Sequence, residues 1–217
     1  IVLMEDLGAT HLESVLQTAS AAETGALYRR ALDLLADLET AVTAAMRREG
    51  LLAERAFDRA TLLGETDYFR REFIEGFCPV PVPGAWEKER AYLADTLARE
   101  EPVFMHRDFQ CRNLMIKNGR LRIIDFQTAH RGPGLYDAAS LLKDPYHPLP
   151  AAVREPLLEE FHAKLRERGA RRDESFETFR AAFTNAGIQR NQQALAAFAK
   201  LGLRKGHRAI LDSIPHR

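Results

Sequence analysis

Residues 103–126, VFMHRDFQCRNLMIKNGRLRIIDF, place His106, Asp108 and Asn113 in an H-x-D-x-x-x-x-N frame. Asp125 follows at the end of the apolar run Leu121 to Ile124. Each polar position suits one task of phosphoryl transfer. A carboxylate at Asp108 accepts or orients the proton of an attacking hydroxyl, which needs a positioned acceptor more than a strong base. Asn113 offers a neutral oxygen and Asp125 an anionic one, the hard ligands that Mg²⁺ takes while it bridges nucleotide phosphates. The intervening residues read as scaffold. Val103 to Met105 and Leu114 to Ile116 are short strand candidates, and Lys117-Asn118-Gly119-Arg120 is a turn signal leading into Leu121 to Ile124. Such a hairpin returns Asn113 and Asp125 to one end, as a shared metal requires. An Asp at a strand end is often only a turn or cap; the hairpin joining it to the H-x-D frame is what points to chemistry.

Around this segment the chain reads as mostly helical. Residues 23–46 carry an apolar stripe of Leu27, Ala31, Leu34, Leu35, Leu38, Val42 and Met46. Further helices are expected over 66–77, 86–99, 136–142, 151–168 and 174–199. The 151–168 segment has the clearest period, in Val153, Leu157, Leu158, Phe161 and Leu165. The proline-rich stretches 78–84 and 144–150 cannot continue a helix. The expected class is therefore α+β, mostly helical, with one small catalytic β-hairpin.

Composition narrows the partners. The 217 residues hold 31 basic and 31 acidic side chains, so nothing points to nucleic acid or an anionic membrane. The two cysteines, Cys78 and Cys111, form no disulfide framework and are expected as free thiols in a reducing cytoplasm. No run of about 18 apolar residues offers a bilayer span, and no signal peptide is visible.

The blocks HRDFQCRNLM (106–115), IDFQTAHRGPGLYDAASLL (124–142) and GIQRNQQALAAFAKL (187–201) resemble the aminoglycoside phosphotransferase and choline kinase superfamily. Within it they are most similar to the anomeric kinases of N-acetylmuramate and N-acetylglucosamine. ETDYFRREFI (65–74) and ILDSIPHR (210–217) share the resemblance, which thus covers nearly the whole chain. It implies the C-terminal lobe of a protein-kinase-like fold, with Asp108 as catalytic base, Asn113 and Asp125 holding Mg²⁺, and Asp137 bracing the catalytic loop. It also places M-E-D-L-G at the hinge between lobes, where backbone groups meet the adenine of ATP. Glu5, Asp6 and Leu7 become cofactor-binding candidates, with residues 1–8 a hinge strand and 9–217 the catalytic lobe.

Departures from the pattern carry their own expectations. A protein kinase usually reads Lys at position 110 and Gly at 127, but here both are Gln, and no A-P-E follows, which argues against a protein substrate. Position 128 is Thr, where the resembling sugar kinases are expected to carry an acidic residue. The chain has no G-x-G-x-x-G and no lysine before Lys88, so the nucleotide-clasping lobe is expected to be missing and the isolated chain to turn over little.

Several side chains keep two readings. His106 is expected to order the loop rather than act as base. Arg107 and Arg112 either steady a phosphate or anionic sugar, or one of them pairs with Asp125 or Asp137 as structure. Gln127 and His130 are candidate lining for the acceptor pocket. Arg190, flanked by Gln189 and Asn191, is a further substrate candidate, with a solvated helix face as the alternative. The expected activity is ATP- and Mg²⁺-dependent phosphorylation of a hydroxyl on a small metabolite, with an amino sugar favoured. The rival is a non-catalytic kinase-like binding or scaffolding module.

Overall fold

The structure, a computed structural model, describes residues 5–204 and 208–214. The apolar run at 1–4 and the chain end at 215–217 lie outside the described residues, as does the first half of the expected hinge strand. After a short α1 (Leu12–Leu16), Ser20 starts α2 (Ala21–Asp37) with a reciprocal capping box to Glu23. The chain continues through a π-helical turn, Leu38–Val42, into α3 (Thr43–Arg48). That turn corrects the expected stripe. It adds one residue to the helical cycle, so Glu39 and Thr43 turn inward and Val42 is left 36% exposed. Thr43 Oγ1 donates to Leu38 O at 2.9 Å, the side-chain bond that accompanies the wider turn.

The second expected helix starts a full two turns earlier than 66. α4 spans Arg59–Phe69, with the Asp58 side chain accepting from Thr61 N at 2.9 Å, and a π-helical segment, Arg70–Glu75, follows. Next come α5 (Trp86–Ala98), β1 (Pro102–Met105), β2 (Leu114–Lys117), β3 (Arg120–Ile123) and β4 (His130–Pro133). The helices α6 (Leu135–Leu142), α7 (Ala151–Glu167) and α8 (Phe176–Arg204) complete the chain's main elements.

β2 and β3 form the expected hairpin, Leu114 opposite Ile123 and Lys117 opposite Arg120. Its turn residues Asn118 and Gly119 both have positive φ, 49° and 70°, the geometry an Asn-Gly hairpin turn favours. The expectation of a single hairpin is too low. β4 pairs antiparallel with β1, Met105 opposite His130, as a second two-stranded sheet. The sequence HRGP hides this strand because it ends in Gly and Pro. Yet Gly132 is needed where it lies, since a Cβ there would come within 2.8 Å of Phe57 Cβ and 2.9 Å of Met105 Sδ.

The core is one helical assembly. α2 packs on α7, and α8 packs on both α4 and α6. Tyr28, Leu32, Leu35, Leu62, Leu114, Leu141, Leu158, Phe161 and Phe179 are fully enclosed within it. Burying such side chains contributes roughly 1.5–3 kcal/mol each. α6 is buried along its whole length, so its polar residues face the interior and are free to grip the loop between β1 and β2.

Candidate active site

The loop from His106 to Asn113 leaves β1 and is fixed from behind by α6. Asp137 accepts from His106 N at 2.5 Å and from Arg107 N at 2.9 Å. Asp144, just past α6, accepts from Cys111 N at 2.8 Å. Burial pushes the Asp137 carboxyl up to about 7, even against the two backbone N–H groups that favour its anion. The grip holds Arg107 at φ 75°, a left-handed conformation that a non-glycine residue keeps only when its surroundings impose it.

His106 behaves as an organiser. Its Nε2 lies 3.0 Å from Ile124 O, which makes this nitrogen the proton carrier, and burial lowers its pKa. Its Nδ1 is buried without a partner among the described residues. The ring thus ties the loop to the residue preceding Asp125 and is not available as a base.

Asp108 is one-third exposed. The Arg190 guanidinium reaches it from α8, Nη2 at 3.6 Å from Oδ1. The same guanidinium donates to Ser140 Oγ at 2.7 Å, Gln193 Oε1 at 2.7 Å and Gln110 Oε1 at 3.2 Å. Arg190 and Gln189 are buried, which overturns the solvated-face alternative for both; Asn191 beside them is exposed. Arg190 is built beneath the loop and bound to it.

Asn113 and Asp125 meet at the open end of the hairpin, where Ile124 N donates to Asn113 O at 3.1 Å. Asn113 Nδ2 donates to the Asp108 carbonyl at 2.9 Å, and among the described residues no donor reaches its Oδ1. Asp125 adopts φ 68°, ψ 37° and is exposed, with Gln127 Nε2 bonded to its Oδ1. An amide oxygen and a carboxylate brought to one end of a hairpin are donor types that fit a hard cation, which would complete its shell with phosphate and water. Among the described residues no group of three or more His, Cys, Asp or Glu side chains is positioned to hold a metal alone.

The remaining expected residues divide. Among the described residues neither the Arg107 nor the Arg112 guanidinium pairs with Asp125 or Asp137, which corrects that alternative for the side chains; Arg107 reaches Asp137 through its backbone N–H. Arg107 Nη2 binds Glu65 Oε1 at 2.9 Å, while Arg112 Nη2 binds Glu13 Oε1 at 2.9 Å and stacks 3.5 Å over the Tyr146 ring. His130 sits beside the loop, Nδ1 2.7 Å from Thr128 O. Thr128 Oγ1 itself lies 3.5 Å from His106 O. The segment at Glu5, Asp6 and Leu7 is brought to the hairpin, where Lys117 Nζ bonds Glu5 Oε1 at 3.0 Å and Asp6 O at 2.5 Å. The Lys117 hydrogen bond also lowers the Glu5 pKa. Ile116 N donates to Thr10 O at 2.9 Å and extends this pairing along β2.

Sequence reasoning missed Glu65. This buried α4 carboxylate accepts from Arg107, from Tyr136 Oη at 3.2 Å and from Gln189 Nε2 at 3.2 Å. Its only signal was its membership of the 65–74 block, which named no role.

These features define a helix-rich lobe of the protein-kinase-like phosphotransferase class. The chain belongs to the phosphotransferase enzyme family, whose model matches residues 1–173. It is 32% identical to an N-acetylmuramate/N-acetylglucosamine kinase of Neisseria meningitidis serogroup B, a match covering 99% of this chain and 64% of that protein. The identity is 31% to the protein of the same name from Pseudomonas aeruginosa, over 99% of this chain and 62% of the relative. The chain therefore spans less than two thirds of the curated relatives it matches. In fold it is similar to an ethanolamine kinase of Plasmodium vivax, with a TM-score of 0.64 at 11% identity over 97% of this chain and 61% of that one. Both cysteines are free, and among the described residues no helix is long and apolar enough to cross a membrane.

Proposed function

We propose that this lobe carries the acceptor-side chemistry of an ATP-dependent kinase of a small hydroxylated metabolite, with an N-acetylated amino sugar as the acceptor. The observation that carries the proposal is the convergence of Asp108, Asn113 and Asp125 on one open edge, tied together by the Asn113 bond to the Asp108 carbonyl. Asp108 takes the proton of the acceptor hydroxyl as its oxygen bonds to the γ-phosphorus and the bond to the departing ADP oxygen breaks. Arg190 fixes the orientation of that carboxylate. Asn113 and Asp125 would hold Mg²⁺, which supplies charge neutralisation on the phosphates. The segment at Glu5, Asp6 and Leu7, laid on the hairpin, is assigned to the adenine end. Gln127 and His130 are assigned to the acceptor side, and Arg107 and Arg112 to support of the loop through Glu65 and Glu13. The amino-sugar assignment rests on the names of the relatives, and a site in a reducing cytoplasm suits the two free thiols.

The test is ADP release by the complete gene product with Mg·ATP and a panel of N-acetylmuramate, N-acetylglucosamine, other hexoses, an aminoglycoside and choline. Turnover on an N-acetylated sugar is expected, and Asp108→Asn should lower it at least about 100-fold. Equal turnover in the variant would remove Asp108 from the chemistry, and no turnover on any acceptor would favour the non-catalytic module.

A further inference from the structure

Away from the phosphotransfer edge, α5, the end of α6, α7 and the first half of α8 enclose an open cavity of about 560 Å³. Lys143, Arg154 and Arg180 line it, one from each of α6's end, α7 and α8, with Thr184 and Asn185 beside them. None of these residues takes part in the site described above.

Lys143 is placed here by construction. Its stem crosses α8 at Gly187, where any Cβ would collide with Nζ, and its ammonium lies 4.9 Å from the Phe183 ring centroid. No hydrogen bond or ion pair from the described residues reaches that ammonium. Burial first, and then the Arg154 charge, lower its pKa, with Glu155 opposing them. Arg154 is no better served. Its Nε is buried without a hydrogen-bond acceptor, and its nearest carboxylate is Glu155 Oε1 at 3.8 Å. Two partly buried cations lining one cavity, each felt by the other, cost free energy unless an anion joins them. A solvated surface would let both side chains extend apart into water; here glycine and phenylalanine hold one of them in.

We propose that this cavity is a binding site for a phosphate group, on inorganic phosphate or on a small phosphate monoester. A tetrahedral dianion offers acceptors in several directions at once, which matches cations arriving from three separate elements. It also offsets the excess of three cationic over two acidic lining side chains, Glu155 and Glu177. Arg180 is exposed and closes the site from the solvent side. Asn185 supplies a neutral donor; the Thr184 hydroxyl proton is engaged with Arg180 O at 2.8 Å.

Calorimetric titration of the chain at fixed ionic strength, with inorganic phosphate in one arm and glucose 6-phosphate in the other, tests the proposal against a chloride control. Saturable binding with Kd of about 1 mM or tighter is expected in at least one arm. The arm that binds more tightly identifies free phosphate or the monoester as the source. Lys143→Met and Arg180→Ala should each weaken binding roughly fivefold or more, whereas Lys143→Arg should retain it. Asp108→Asn should leave it unchanged, which separates this site from the phosphotransfer edge. Arg180→Ala alters an exposed side chain and keeps the test valid if Lys143→Met fails to fold. Absence of saturable binding up to about 20 mM, or binding undiminished in both charge-removing variants, overturns the proposal.

Discussion

Glu65→Ala removes a carboxylate that three groups share, and its cost follows from what each loses. Tyr136 Oη, wholly buried, has Glu65 as its hydrogen-bond acceptor and would be stranded at about 1–3 kcal/mol. Arg107 keeps a quarter of its side chain exposed, so its ion pair is worth only about 1 kcal/mol after screening. Gln189 Nε2 still reaches Leu62 O at 3.1 Å and loses little. Against these stands a gain, since burial raises the Glu65 pKa and removing the acid relieves that penalty. The net expectation is roughly 1–3 kcal/mol of lost stability, read from urea unfolding of the chain. A cycle with Tyr136→Phe isolates the shared part. The double variant should lose about 1 kcal/mol less than the sum of the single variants, because the phenylalanine leaves no hydroxyl to strand. Turnover of the complete gene product should fall as well, since Arg107 adjoins Asp108 at φ 75° and Glu65 helps to hold it there. A Glu65→Ala cost under about 1 kcal/mol, or single variants that add within about 0.3 kcal/mol, would refute this account.

Gly132→Ala should destabilise the chain by about 1–3 kcal/mol, because the new methyl meets Phe57 and Met105 inside 3 Å; thermal unfolding reads the loss. Glu39 is a matter of pH. Burial raises its carboxyl to about 8, so the fold favours the neutral acid. The stability this contributes is complete below the unfolded value of about 4.3 and is lost as pH rises through 8. Denaturation between pH 5 and about 8.5 should show stability falling by up to about 1.4 kcal/mol per unit, with a shallower fall in Glu39→Gln. Equal slopes in the two proteins would show that Glu39 does not take up the proton.

What the sequence made legible is what is local. The H-x-D frame, the Asn-Gly turn and the strand before Asp125 lie within 24 residues, and their geometry follows from short-range rules. The helices with clear periods were readable for the same reason. The π-helical turn at Leu38–Val42 was not, because periodicity assumes a constant 3.6 residues per turn and one inserted residue rotates everything beyond it. β4 escaped because a strand ending in Gly-Pro has no apolar alternation, and its evidence lies in Met105 and Phe57 elsewhere in the chain. The supports of the site were least visible. Asp137 bonds 31 residues back to His106, and Gln189 reaches Glu65 across 124 residues, separations at which spacing carries no information. Only resemblance pointed to Asp137, and for Glu65 it gave no more than membership of the 65–74 block.

The supports also explain how an exposed edge can be a defined one. Asp108 and Asp125 stand toward solvent with few side-chain partners, and exposed side chains on loops ordinarily sample several rotamers. Here the backbone behind them is held from the interior. Asp137 and Asp144 bind three loop N–H groups, Arg190 binds Gln110 and approaches Asp108, and His106 joins the loop to Ile124. His106, Cys111, Asp137, Asp144 and Arg190 are buried, where hydrogen bonds are stronger and breaking one leaves its partner unsatisfied. Rigidity is thus installed where water is absent, and reactive oxygens are presented where substrate arrives. A catalytic edge of this kind needs its positioning from residues far off in sequence, which is why substitutions at Glu65 or Asp137 should reach the chemistry without touching it.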